Sequence, residues 1–213
     1  MDEFAQLTEQ VHAVMDSRNQ ARDRALVQAR ELTRHAAHAI RAIHRGELEV
    51  AEDHLRQAGQ LHQAFKTELA DFPQIFYAGY TQDAIKEFVE ANVTVALIQG
   101  HPLPLPDQLE VDPAVYLNGL AEAVGELRRR TLDILRKGYS EEAERLLACM
   151  DEIFALLITV DYPDAITNGL RRQTDLARGI IERTRGDLTT SLREERLLEA
   201  LRKVSRQLDV DAG

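Results

Sequence analysis

Glu87 and Glu90 stand three residues apart in Glu87-Phe88-Val89-Glu90, and Glu122 and Glu126 stand four apart further along the chain. On a helix, about 100° per residue puts the members of each pair on one face. Asp83, four residues before Glu87, joins the first face. If the two helices pack together, three or four carboxylates converge, and their charges repel unless a proton or a cation is shared among them. Hard oxygen donors, with no His or Cys beside them, suit Mg²⁺ or Mn²⁺. Such ions activate a water and stabilise charge on a phosphodiester in transit. The same spacing also occurs on ordinary solvated helix faces, and Glu126 could instead pair with Arg129 or Arg130.

A second pattern is basic. Arg30, Arg34, His38, Arg41 and Arg45 recur at steps of four, four, three and four, which confines them to roughly an 80° arc of a helix. Ala25, Ala29, Leu32, Ala36, Ala39, Ile40 and Ile43 fall on the other side, so the apolar face is the core contact. The cationic face must then meet solvent, another subunit or a ligand. Like charges at i,i+4 cost about 0.2–0.5 kcal/mol per pair when nothing neutralises them. A polyanion lying along the stripe would remove that cost and release counterions.

The elements that must position these groups are helical. Apolar residues recur with a period near 3.6 and no alternating strand pattern persists. The pattern predicts helices over Phe4–Ser17 and Gln20–Arg45, the latter stopped by Gly46. A further helix runs from Glu47 to Asp71, and Thr81 reads as the N-cap of one reaching Gln99. Gly100-His101-Pro102-Leu103-Pro104-Leu105-Pro106 cannot be helical and reads as a polyproline-like connection. Asp112-Pro113 then opens a helix that ends by Gly138. Ser140 caps the next, to about Val160, and another spans Asp164–Arg185. Gly186 separates it from a charged segment ending near Leu208. One all-α domain is expected over 1–190, with 191–213 a charged helical extension or tail.

Composition agrees. The 213 residues are 44% hydrophobic and 29% charged, with 5% aromatics and no Trp, so the core must be mostly Ala, Leu, Val and Ile packed through closely approaching helices. A single cysteine, Cys149, excludes an internal disulfide framework and a Cys-rich zinc site. The net charge of −10 argues against non-specific adhesion of the whole molecule to nucleic acid or membrane, while allowing a local basic face. The acidic start and the lack of an apolar run near ~20 residues point to a cytoplasmic protein without membrane partners.

Four stretches together resemble the translin superfamily: Arg30 to Arg45, Ala84 to Ala91, Tyr116 to Leu127, and Gly169-Leu170-Arg171-Arg172, in the family's order. The resemblance covers roughly residues 20–190. It implies a seven-helix bundle that assembles into hollow homo-oligomers, octamers in the family, and binds single-stranded RNA or DNA. It also implies kinship with translin-associated factor X, the catalytic branch of a Mg²⁺-dependent endoribonuclease. By resemblance Glu87 and Glu90 match the first carboxylate pair and Glu122 and Glu126 the second. Glu87, Glu90 and Glu122 would be catalytic, all four would ligate metal, and Arg30, Arg34, His38, Arg41 and Arg45 would hold nucleic acid. Glu122 departs from the pattern, since the catalytic relative has Asp there. A non-catalytic binder like translin, with idle carboxylates, is the alternative; a purely structural oligomer is a third reading.

Other residues carry weaker signals. His12, His35, His44, His54, His62 and His101 show no metal-like pairing, and His54 and His62 are expected at a surface or interface. Cys149 reads as a small buried hydrophobe. Phe72, Ile75, Phe76, Tyr77 and Tyr80 suit packing or base stacking. Arg171, Arg172, Arg178, Arg183 and Arg185 form a second basic region, interrupted by Asp175 and Glu182.

Overall fold

The computed structural model describes the backbone of residues 2–211 and the side chains of residues 3–207. Met1, Ala212 and Gly213 lie outside the described residues, and with them the last two positions of the expected 191–213 extension. The chain is all-α, with no strand among the described residues. The long helices are α1 (Asp2–Arg45), α2 (Leu48–Glu68), α4 (Gly79–Gln99), α6 (Pro113–Leu135), α7 (Glu141–Leu157) and α9 (Leu170–Asp211). Single turns form α3 (Pro73–Phe76), α5 (Pro106–Leu109) and α8 (Asp164–Thr167).

Several ends follow from local chemistry. Gly46, at φ 78°, takes the left-handed conformation that closes α1, with its N–H on Ile43 O and that of Glu47 on Ala42 O, both 3.0 Å. The Asp112 carboxylate accepts from Ala114 N at 2.8 Å ahead of α6, and Ser140 Oγ accepts from Glu142 N at 3.2 Å to cap α7. Thr81 is not the cap expected of it. It lies within α4, fully buried, and its hydroxyl donates to Ile75 O at 3.0 Å.

Two expected breaks are absent. Phe4–Ser17 and Gln20–Arg45 are one continuous helix, because Ser17-Arg18-Asn19-Gln20 contains neither proline nor glycine to interrupt it. Gly186 lies inside α9. A mid-helix glycine costs only about 1 kcal/mol, and buried Ile181, Thr184 and Leu188 hold α9 on either side of it. The real break comes earlier, where Asn168 (φ 52°) and Gly169 (φ 79°) divide α8 from α9.

The residues gather into two compact units, Met1–Val95 with Pro104–Gly119, and Ala96–Leu103 with Leu120–Gly213. In the first, α1 and α2 pack along each other. Its core joins Ala21, Ala25, Ala29 and Leu32 of α1 to Ala58 and Phe65 of α2 and Ala84, Ile85 and Phe88 of α4. Alanines spaced by four let the helix backbones come close. In the second, α7 packs on α9, with Leu146, Met150, Leu157, Leu170 and Ala177 buried. Arg185 of α9 donates to both oxygens of Asp151 on α7, at 2.7 and 2.8 Å.

Candidate metal centre and basic face

Glu87 and Glu90 lie on α4 beside buried Ile85, Phe88 and Val89, and Glu122 lies on α6 between buried Ala121 and Ala123. All three glutamates are partly buried, and each offers a carboxylate oxygen within 4.8 Å of the other two. Oxygens on one octahedral ion at ~2.1 Å lie about 3–4 Å apart, so the spacing of the trio is of the order that one ion could span. Three hard anionic donors without sulfur or nitrogen suit Mg²⁺ or Mn²⁺.

Gly119 explains how two helices bring these side chains so near. A Cβ at that position would stand 2.8 Å from Lys86 O and 2.8 Å from Val89 Cβ. Only a residue without a side chain lets α6 touch the α4 backbone there, and Glu122 follows one turn later. Glu126 is not in the trio; its carboxylate lies 3.6 Å from the Arg129 guanidinium. Asp83 is exposed, 4.0 Å from Lys86 Nζ. Gln173 of α9 donates from Nε2 to Glu122 Oε1 at 3.0 Å, a contact that sequence spacing gave no means of finding.

The face expected of α1 is realised. Arg30, Arg34, His38, Arg41 and Arg45 are all exposed, and the seven apolar residues assigned to the opposite side are all buried. Two of the arginines meet carboxylates: Arg34 lies 3.7 Å from Glu31, and Arg45 pairs with Glu47 at 2.6 Å. That hydrogen-bonded pair holds the Glu47 carboxyl below its usual range. Among the described residues Arg30 and Arg41 form no ion pair.

Histidines gather along the same face, contrary to the scattered distribution read from sequence. His35 Nδ1 of α1 and His54 Nδ1 of α2 are 3.0 Å apart, one donating and the other accepting. The His38 ring stacks on His54, with centroids 5.0 Å apart and planes at 27°. Pairing i and i+19 across two helices has no local signature, so the cluster was invisible before the helices were docked. Burial lowers the pKa of each ring; Arg34 lowers His35 further, His35 lowers His54, and Arg41 lowers His38. Glu31 and Asp53 oppose this for His35, as Asp53 does for His54.

A pH dependence follows. The unfolded chain binds these protons first as pH falls below the ordinary value of about 6.5. Stability is therefore full above that value and declines as pH falls toward the depressed folded values. Melting followed by circular dichroism between about pH 7 and about pH 5 should show a smaller decline for His35→Asn/His54→Asn than for the native chain. Equal declines would remove the pair from the account.

His62 corrects a second expectation. It is 2% exposed, stacked on Phe88 at 5.3 Å, and hydrogen-bonded through Nε2 to Glu110 O at 3.2 Å; its pKa is lowered by burial. Phe72, Phe76 and Tyr80 pack against the first unit's core, while Tyr77 is exposed. Cys149 is only half-buried, 3.9 Å from Arg145. In the second basic region Arg171, Arg178 and Arg185 meet Asp161, Glu182 and Asp151, while among the described residues Arg172 and Arg183 form no ion pair.

The chain is thus all-helical, with a converging carboxylate trio and a one-sided basic helix. It matches the structure of AfC3PO with duplex RNA at a TM-score of 0.83 and 37% identity, covering 89% of this chain and 98% of that one. The crystal structure of AfC3PO matches at 0.82 and 36% over the same shares. Apo-NeC3PO, at 19% identity, shares the fold with a TM-score of 0.79 over 86% of this chain and 96% of its own. An uncharacterised protein of Methanocaldococcus jannaschii is 32% identical over 190 residues, 88% of this chain and 84% of that one. No family profile matches the chain. The chain belongs to the translin superfamily.

Proposed function

We propose that this protein is an RNA-binding, Mg²⁺- or Mn²⁺-dependent endoribonuclease. The observation that carries the reading is the convergence of Glu87, Glu90 and Glu122 within 4.8 Å. The relative solved with duplex RNA, at 37% identity, supports RNA as the ligand class. Glu87, Glu90 and Glu122 hold the ion, and Glu126, assigned to the set by family likeness, stands outside the trio. When bound, the ion supplies a water of lowered pKa and neutralises charge on the phosphate oxygens. Arg30, Arg34, His38, Arg41 and Arg45 hold the backbone of a single strand, RNA or DNA, by phosphate contacts that carry no sequence information.

Assembly into a homo-oligomer, an octamer by family likeness, reconciles a net charge of −10 with polyanion binding, because basic faces can line a shared cavity while acid faces water. Phe4, Leu7, Val11 and Val14 support this: they repeat at three- and four-residue steps on α1 and are all exposed, a seam that suits a helical partner. Among the described residues no helix is long and apolar enough to cross a membrane, in keeping with a cytoplasmic enzyme. The catalytic fold is assigned to 1–190 and the charged end of α9 to a separate extension from 191.

Labelled single-stranded and duplex RNA, and single-stranded DNA, should be incubated with the full chain in Mg²⁺ and in EDTA. Metal-dependent internal cleavage of RNA is expected. Salt-dependent binding without turnover would leave the non-catalytic alternative, and cleavage persisting in EDTA would refute the metal mechanism.

The stripe makes its own prediction. Arg34→Glu with Arg41→Glu should weaken RNA binding about tenfold or more. The slope of log affinity against log salt should flatten by roughly 0.7 for each phosphate of a single strand that is no longer held. Filter binding from low to high salt measures both. An unchanged slope with a broken oligomer would assign the stripe to subunit contacts instead.

A further inference from the structure

Gln173 lies on the inward side of α9, three residues after Leu170 and four before Ala177, both 1% exposed. Gln173 itself is half-buried there, so its amide is partly withdrawn from water. Its partner is Glu122, held through Nε2–H to Oε1 at 3.0 Å. The start of α9 is itself fixed, by the left-handed Asn168 and Gly169 and by Thr174 Oγ1 donating to Leu170 O at 2.9 Å. The amide therefore projects from an anchored turn.

The geometry points to Gln173 as a positioning residue that fixes Glu122, through one carboxylate oxygen, in the orientation that completes a divalent-cation site with Glu87 and Glu90. This rests on the proposed metal reading and extends it to a group outside the acidic trio. The chemistry favours an amide. An arginine there would grip both oxygens of Glu122 and cancel its charge. Gln donates a neutral N–H to one oxygen and adds no positive charge to offset the carboxylate's. Arg171 and Arg172, immediately before it, are exposed, so full positive charge is kept off this position. Glu122 is also long and needs such restraint more than Asp would. Shortening it by one methylene withdraws its oxygen by about 1.5 Å, beyond hydrogen-bonding distance from an anchored Gln173.

The length of the Glu122 side chain makes the test specific. Mn²⁺ binding to the full chain is measured by electron paramagnetic resonance for the native protein, Gln173→Met, Glu122→Asp and the double variant, with melting curves and RNA affinity in EDTA alongside. Met keeps the volume and removes the donor; Gln173→Ala is the second choice should Met perturb folding. In the Glu122 background, removal of the amide is expected to weaken Mn²⁺ binding 10–100-fold, the range for groups that orient metal ligands. RNA affinity in EDTA should not change. In the Glu122→Asp background the same substitution should change Mn²⁺ binding less than about threefold, since the hydrogen bond is already absent. Unchanged Mn²⁺ binding in Gln173→Met, or equal losses in both backgrounds, overturns the role of Gln173 alone. A native chain that binds no Mn²⁺ overturns the metal site as well.

Discussion

Replacing Glu90 with glutamine should cut metal-dependent RNA cleavage about 10³-fold and, in EDTA, raise the melting temperature. The two effects have one cause. Two unit charges 4.8 Å apart repel by about 3 kcal/mol at an effective dielectric near 20, and the three partly buried carboxylates approach at least this closely. Without a cation, Glu90→Gln relieves part of that repulsion while keeping the shape of the side chain. With a cation the order reverses. A ligand at 100 times its Kd stabilises the folded state by about 2.7 kcal/mol, or roughly 5–10 °C for a chain of this size. Native protein should therefore gain stability from Mn²⁺ and Glu90→Gln should gain little. Cleavage should fall about 10³-fold, the equivalent of some 4 kcal/mol of transition-state stabilisation, with RNA binding in EDTA preserved. Differential scanning fluorimetry in EDTA and in Mn²⁺, with the cleavage assay, checks all three. Equal Mn²⁺ gains in both proteins would mean that the ion, if bound, does not sit on Glu90.

How much of this could be read before folding depended on the distance over which each pattern acts. The two faces of α1 were legible residue by residue, because both are written at the helical period within one uninterrupted segment. Gly46, Asp112 and Ser140 ended or opened helices where expected, since capping depends on a few adjacent atoms. Gly186 misled for the opposite reason: a glycine's local cost is about 1 kcal/mol, and burial of Ile181, Thr184 and Leu188 around it outweighs that. The His35–His54 contact and the Gln173–Glu122 hydrogen bond join residues 19 and 51 positions apart, and no periodicity reaches so far. The carboxylate trio falls between these cases. Each pair was visible by spacing, but their meeting was a condition placed on the fold, and family likeness, not spacing, singled them out.

The acidic trio and the basic stripe place opposite demands on one chain. Under the proposed function, anionic donors are crowded for a cation while guanidinium groups are kept available for phosphate. Arg30 and Arg41 stay clear of carboxylates among the described residues, and Arg34 and Arg45 meet only near neighbours in sequence. In the second basic region Arg171 and Arg185 instead reach out of α9 to Asp161 and Asp151. In the proposed function, that contrast makes α1 the better candidate than Arg171 or Arg185 for holding phosphate. Reversing Arg171 or Arg185 would chiefly break ion pairs within the second unit.

Gly119→Ala should be among the most damaging single-methyl additions available in this chain. The added carbon would stand 2.8 Å from three atoms at once: Lys86 O, Val89 Cβ and Val89 Cγ1. One is backbone and the others belong to a stiff β-branched side chain that is fully buried, so nothing nearby yields easily. Helix propensity favours Ala over Gly by about 1 kcal/mol, and at an open position the change would stabilise. Here overpacking of about 1–3 kcal/mol or more opposes it, and a net loss of stability is expected. Gly125, six residues later on α6 with nothing within 4 Å of where its Cβ would stand, is the control: Gly125→Ala should hold or raise stability. The functional consequence is separable from unfolding, because pushing α6 off α4 moves Glu122 away from Glu87 and Glu90. Below its melting temperature Gly119→Ala should bind Mn²⁺ at least tenfold more weakly than native protein, a displacement near ~1 Å being enough to spoil a preorganised site. Chemical denaturation and Mn²⁺ titration of both variants test this. Gly119→Ala as stable as Gly125→Ala, with native Mn²⁺ affinity, would mean that the close contact of α6 with α4 does not set the site.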